Sequence, residues 1–145
     1  CARCHGPDGT SVQALVPNLA GQNPFYLLEQ TERFADGRRT DYVMTPLAKR
    51  FTAEDKVLLA IFYSAQVPKA GPTNAALVDQ GRARYQANCV TCHGPRAHGD
   101  ATFPRLAGQR MEYLRHRLFQ LKQQPPSPNA TPMVAMARPP GRRPR

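Results

Sequence analysis

Cys1-Ala2-Arg3-Cys4-His5-Gly6 opens the chain, and Cys89-Val90-Thr91-Cys92-His93-Gly94 repeats the pattern 88 residues later. All four cysteines of the 145-residue sequence fall in these two stretches. Two thiols three positions apart, followed at once by an imidazole, form the attachment signature of c-type haem. Each thiol can add to one of the two vinyl groups of a porphyrin, and the adjacent imidazole then meets the iron. A lone Cys-x-x-Cys also reads as half of a zinc site or as a redox dithiol, and two such pairs can make one Cys₄ zinc site. Histidine directly after the second cysteine in both copies argues for haem. So does the absence of the strand pattern that surrounds a thioredoxin-like dithiol. The expectation is two covalently bound haem c groups, attached through Cys1, Cys4, Cys89 and Cys92, with His5 and His93 as proximal iron ligands. Two haems in so short a chain point to electron transfer.

The repetition runs well past these motifs. Pro17-Asn18-Leu19-Ala20-Gly21-Gln22 matches Pro104-Arg105-Leu106-Ala107-Gly108-Gln109 at an offset of 87, and Tyr26-Leu27 matches Tyr113-Leu114 at the same offset. Met44-x-x-Leu47-Ala48 matches Met133-x-x-Met136-Ala137 at an offset of 89. Matched blocks in constant order argue for an internal duplication. The chain therefore divides into a first domain over 1–66, a linker over 67–77 marked by Pro68, Gly71 and Pro72, and a second domain over 78–145. Units this short bury little apolar surface by themselves. A haem at the centre of each would stand in for bulky side chains, in keeping with a hydrophobic fraction of 41% and no tryptophan.

Each repeat reads as short helices joined by loops, an all-α architecture. Asn23 precedes Pro24 and Gly37 follows the apolar run, which bounds one helix. Thr52, with Glu54 and Asp55 behind it, starts another that runs through Val57, Leu58, Ile61, Phe62 and Ala65 at helical spacing. In the second repeat a helix is expected over about 78–89, with Gly81, Tyr85 and Cys89 on one face. A further helix fits 110–123 and stops at Pro125-Pro126. Residues 125–145 hold seven prolines and read as mostly irregular. Repeat one has no counterpart of the 78–89 helix, and repeat two has none of the 52–66 helix. The tail from Pro139 to Arg145 has no core-forming character. An incomplete record, with a tail read from a shifted frame, is the expectation from these ends.

The sixth iron ligand decides the chemistry. An open position allows oxygen or peroxide chemistry, whereas histidine and methionine together give a high-potential electron carrier. Met44 is the single methionine of repeat one, in an expected loop between helices, and the duplication maps it onto Met133. Met136 maps onto Leu47 and so reads as packing, while Met111 sits at a helix start with no methionine counterpart. His98 lies too near His93 to reach the opposite face of the same haem, and His116 sits among Arg115 and Arg117. Neither has a counterpart in repeat one, and both read as surface. The carbonyls of Pro17 and Pro104 are candidates to hold the proximal rings through their second nitrogen. Arg33, Arg38, Arg39, Arg117 and Lys122 can pair with haem propionates but read first as solvated. No Ser-His-Asp set, phosphate loop or paired carboxylate site is present in the sequence.

The net charge of +10 is lopsided. Residues 1–66 hold seven basic and seven acidic side chains, and residues 67–145 hold thirteen basic and three acidic ones. A positive half suits an acidic docking surface on a redox partner or an anionic membrane surface. It also places the second haem in a field that favours its reduced state. Scattered arginines without a binding motif argue against nucleic acid. No run of 18 apolar residues marks a membrane span.

With these motifs in place, the chain resembles a diheme class I cytochrome c of the cytochrome c4 family over nearly its whole length. The resemblance rests on the two Cys-x-x-Cys-His-Gly motifs, the paired Pro-x-Leu-Ala-Gly-Gln segments and the Met44-Thr45-Pro46-Leu47-Ala48 and Met133-Val134-Ala135-Met136-Ala137 stretches. It implies two cytochrome c folds in pseudo-twofold contact, with haem edges meeting near the domain interface. It implies a helix before Cys1 and another after Met133. It implies a periplasmic electron carrier, free or loosely membrane-associated. Such a carrier takes electrons from a quinol-oxidising complex or a dehydrogenase and passes them to a terminal oxidase or another acceptor, without catalysing a reaction of its own. The alternative is a diheme electron-transfer subunit of a larger oxidoreductase. A diheme peroxidase is a further rival, disfavoured by the two matched methionines.

Overall fold

A computed structural model describes residues 1–128 and 130–138. The tail from Pro139 to Arg145, discussed above as lacking core character, lies outside the described residues. Among the described residues the structure is helical, with an isolated bridge between Asp100 and Phe103 and no strands. The helices are α1 (Ala2–His5), α2 (Pro24–Ala35), α3 (Met44–Ala48), α4 (Ala53–Ser64), α5 (Ala75–Asn88), α6 (Val90–His93), α7 (Met111–Gln123) and α8 (Pro132–Met136).

The duplication is visible in the order of elements. Each motif turn (α1, α6) is followed by a long loop, a helix of three turns (α2, α7) and a short helix (α3, α8). In the first half α2 packs on both α3 and α4; in the second α7 packs on α8, and α5 packs on α6. The helix expected from Thr52 starts at Ala53 because Thr52 closes a capping box. Its hydroxyl accepts from the Asp55 N–H at 3.0 Å, and the Asp55 carboxylate accepts from the Thr52 N–H at 2.9 Å. The helix expected over 78–89 begins earlier, at Ala75, because the Asn74 side chain accepts from the Ala76 N–H at 3.1 Å and caps it there. At Asn23 the expected boundary holds, but the side chain does not cap. It donates across to the Phe103 carbonyl at 2.5 Å instead.

Two further expectations need correction. Met44 and Met133 lie in short helices, not loops. The Asp41 carboxylate accepts from the Val43 and Met44 N–H groups at 2.9 and 2.8 Å, and Pro132 occupies the first turn of α8. The apolar stripe read along α4 is not its buried face. Ala60 and Tyr63 are buried, while Leu58 and Ile61 remain more than half exposed. The helix is apolar on most sides, and α2 covers only one of them. The buried apolar set is small: Ala20, Phe34, Ala48, Ala60, Tyr63, Leu121 and Val134.

Candidate haem sites

Cys1, Cys4 and His5 are brought together by the single turn of α1, and Cys89, Cys92 and His93 by that of α6. In both turns the first cysteine's carbonyl accepts from the histidine N–H, at 2.9 Å for His5 and 3.0 Å for His93. Each turn ends on a glycine with positive φ, Gly6 at 82° and Gly94 at 77°. At Gly6 a Cβ would stand 2.2 Å from the Thr10 carbonyl oxygen, so only glycine lets the chain leave the motif there. The four cysteines form no disulfide, which leaves their sulfurs to attach another group. Among the described residues no three His, Cys, Asp or Glu side chains converge to hold a metal ion, which the Cys₄ zinc alternative requires.

Both histidines are buried, and both use Nδ1 in the way the sequence suggested. His5 Nδ1 donates to the Pro17 carbonyl at 2.9 Å, and His93 Nδ1 donates to the Pro104 carbonyl at 3.0 Å. A carbonyl only accepts, so Nδ1 carries the proton in each ring. In the neutral ring this tautomer leaves Nε2 with its lone pair, the form needed to bind iron. Burial holds the His5 pKa below its ordinary value, against the opposing pull of the Pro17 carbonyl, and keeps that ring neutral.

Met44 and Met133 occupy equivalent places at the start of α3 and α8, and both are half-buried. Met111 and Met136 are exposed, as are His98 and His116. The positions set aside in the sequence are thus the exposed ones.

Several residues make contacts that the sequence did not reveal. Buried Ser11 donates to the Cys4 carbonyl at 2.8 Å and braces the first motif turn. The Tyr85 hydroxyl donates to the Gly94 carbonyl at 2.6 Å and pins α5 over the second turn; its shared face with Cys89 was the available signal. Across the seam between the halves, Gln22 and Gln109 bond to backbone of the opposite repeat, and Arg110 donates to the Ser11 carbonyl at 2.9 Å. Arginines read as solvated are partly buried. Arg33 is buried, and Arg39 lies 4.5 Å over the Phe34 ring while donating to Gln30 at 2.8 Å and to the Tyr113 hydroxyl at 3.0 Å. Burial, with Arg39 alongside, lowers the Arg117 pKa, and burial beside Tyr113 raises that of Tyr26. Arg38, in an exposed pair with Asp36 at 2.6 Å, and exposed Lys122 match the solvated reading.

These donors suit haem c: an imidazole nitrogen beside two cysteine sulfurs, twice over, with half-buried thioethers on a separate short helix. Apolar side chains such as Val12, Leu15 and Val43 that stand exposed in the first half suit a large flat apolar group.

The chain is similar to known proteins. Residues 76–135 match the family model described as cytochrome c oxidase, cbb3-type, subunit III. Cytochrome c4 of Pseudomonas aeruginosa is 35% identical over 85% of this chain and 66% of its own length. Cytochrome c4 of Azotobacter vinelandii is 32% identical over 85% and 68%. The thiosulfate dehydrogenase electron acceptor of Thiomonas intermedia is 36% identical over 79% of this chain and 58% of its own length. This chain thus spans about two thirds of the curated cytochromes c4 it matches. The solved Acidithiobacillus ferrooxidans cytochrome c4 superposes with a TM-score of 0.81 at 30% identity, covering 94% of this chain and 88% of that one. Thiosulfate dehydrogenase from Marichromatium purpuratum gives 0.76 at 36% identity, covering 94% and 32%. A repeated haem-attachment turn, a histidine poised to offer Nε2 in each half and the match across both halves to cytochromes c4 lead to one assignment: the chain belongs to the cytochrome c4 family, two-domain all-α electron-transfer proteins, and carries covalently bound haem c.

Proposed function

We propose that His5 with Met44 and His93 with Met133 supply the axial ligands of two haem irons, attached through Cys1 and Cys4 in the domain over 1–66 and through Cys89 and Cys92 in that over 78–145. Haem iron held this way supplies a one-electron ferric–ferrous couple. The chain's own part is to bind, orient and insulate. Pro17 and Pro104 hold each imidazole in one orientation and one tautomer. The thioethers of Met44 and Met133 would complete the ligand set of each iron, which would leave no place there for a substrate and make the protein a carrier. Arg39 and Arg117, partly buried between the halves, suit the carboxylate groups of the cofactor. The observation that carries the reading is the duplicated Nδ1-to-proline bond, at 2.9 and 3.0 Å, which prepares two equivalent Nε2 donors.

As a carrier, the protein works in the periplasm between a quinol-oxidising complex or dehydrogenase and a terminal acceptor. A second reading, as the electron-accepting subunit or partner of a dehydrogenase, is favoured by the likeness to the thiosulfate dehydrogenase electron acceptor and to thiosulfate dehydrogenase itself. The Met44→Ala and Met133→Ala variants test the ligand set. Each is expected to lose the sulfur-to-iron charge-transfer band of one centre and to bind carbon monoxide there when reduced. Unchanged spectra in both variants would remove this ligand assignment. Reduction by a thiosulfate dehydrogenase with thiosulfate, set beside reduction by a quinol-oxidising complex, separates the two physiological readings.

A further inference from the structure

The seam between the halves is built from the two copies of one hexapeptide. The peptide group joining Pro17 to Asn18 has both ends engaged. Its carbonyl accepts from His5 Nδ1 at 2.9 Å, and its N–H, on Asn18, donates to Gln109 Oε1 at 2.8 Å. The peptide group joining Pro104 to Arg105 repeats this with the halves exchanged. Its carbonyl accepts from His93 Nδ1 at 3.0 Å, and its N–H donates to Gln22 Oε1 at 2.6 Å. Each glutamine takes a second hold on the same residue. Gln109 Nε2 donates to the Asn18 carbonyl at 3.0 Å, and Gln22 Nε2 donates to the Arg105 carbonyl at 2.9 Å. Each Oε1 also accepts from the N–H of the next residue in its own chain segment, Asn23 at 3.0 Å or Arg110 at 2.9 Å. The side-chain amides are therefore fixed at three points each.

We infer that Gln22 and Gln109 are reciprocal positioning residues: each braces, across the seam, the peptide group that orients the other half's haem-ligating histidine. The inference rests on the reading of His5 and His93 as ligands. Donation by a peptide N–H draws electron density onto the carbonyl of the same group, which makes that carbonyl a better acceptor. The imidazole, peptide and glutamine form a three-membered hydrogen-bonded relay. A better acceptor at Nδ1 fixes the ring and raises its basicity at Nε2, which stabilises the ferric state. Each half thus helps set the coordination strength of the other. Simple adhesion between domains could use any exposed backbone, yet in both halves the group grasped is the one that touches the histidine.

The test uses the holoprotein with Gln22→Met and Gln109→Met, which keep length and remove both polar ends, and with Gln22→Glu, which keeps an acceptor for the Arg105 N–H. The ring Nδ1–H resonances of His5 and His93 are followed by NMR in the reduced protein, and the potential of each centre by site-resolved titration. In Gln22→Met the His93 Nδ1–H resonance should move and its hydrogen exchange quicken about fivefold, the scale of one weakened neutral hydrogen bond. The potential of the His93 centre should rise, with the His5 centre unmoved. Gln109→Met should give the mirror image, and Gln22→Glu, whose carboxylate is the stronger acceptor for the Arg105 N–H, should move the His93 resonance in the direction opposite to Gln22→Met. An effect confined to the variant's own half, an equal effect on both centres, or none, would overturn the inference. Should Gln22→Met not fold, an unmoved His93 resonance in Gln22→Glu would overturn it alone. Visible spectra of the same samples report ligation separately. Loss of histidine–methionine coordination in the unmodified protein strikes the ligand reading, whereas intact coordination without a cross-seam effect strikes only the glutamine relay.

Discussion

Gly9 and Ala97 do the same work in the two halves. The Gly9 carbonyl accepts from the Leu19 and Ala20 N–H groups at 2.7 and 3.1 Å, and the Ala97 carbonyl accepts from Leu106 and Ala107 at 2.8 and 2.9 Å. Both residues have positive φ, 79° and 55°. A Cβ on Gly9 would meet the Ala20 nitrogen at 2.7 Å and the Tyr63 ring at 2.8 Å. Tyr63 comes from α4, and the second half has no matching helix among the described residues, so an alanine fits at 97. It still bears the left-handed strain of an L-residue, about 1 kcal/mol. Ala97→Gly is therefore expected to stabilise the holoprotein by up to about 1 kcal/mol, and Gly9→Ala to destabilise it by more than that, both read by denaturant unfolding. Asp8 gives a pH prediction at the same scale. The Lys69 ammonium, 2.7 Å away, and the Thr10 N–H lower its carboxyl from 3.8 to about 2. A carboxyl pKa lower in the fold than outside it adds stability above the ordinary value, and loses it as pH falls through the folded one. The tie between the first loop and residue 69 should hold down to about pH 2, and Lys69→Met should return the Asp8 carbon-13 titration toward 3.8.

Helices were legible where local chemistry sets them. Thr52 with Asp55, Pro24 after Asn23, and Pro125-Pro126 after Gln123 are short-range signals, and the observed ends fall within a few residues of them. The capping box at α4 yields a direct test: Thr52→Ala should cost about 1 kcal/mol in unfolding free energy, and a negligible loss would show that packing on α2 alone holds this end. What periodicity could not supply was orientation. Val57, Leu58, Ile61 and Phe62 recur at helical spacing, yet the buried residues are Ala60 and Tyr63, the latter with its ring against Gly9. On a helix apolar nearly all round, the pattern does not select a side, and the neighbour does. The short helices at Met44 and Met133 escaped notice for a different reason. Five residues carry too little periodicity to read, and Asp41 fixes the first by side-chain bonds to two backbone N–H groups.

At the level of the whole molecule, charge and symmetry pull apart. The relay geometry of the two halves is nearly the same, while the basic excess lies beyond residue 66. Positive surroundings favour a reduced iron. The centre at His93 is therefore expected to have the higher potential, measured by site-resolved redox titration, and a clearly higher value at His5 would refute this. No helix among the described residues is long and apolar enough to cross a membrane.

The sequence by itself determined the cofactor chemistry, the duplication and the equivalence of Met44 with Met133, because a thiol pair, an imidazole and an ordered repeat are properties of the chain read in order. It also pointed to Pro17 and Pro104 as acceptors, since each lies in the same loop as its histidine. Only the tertiary structure decided what the matched glutamines do. Gln22 and Arg105 are 83 residues apart, and Gln109 and Asn18 are 91 apart. Their pairing depends on how one half seats against the other, a long-range fit that no local pattern encodes. The same holds for Arg39 and Tyr113, which read as a solvated cation and a matched aromatic until the seam brought them within 3.0 Å.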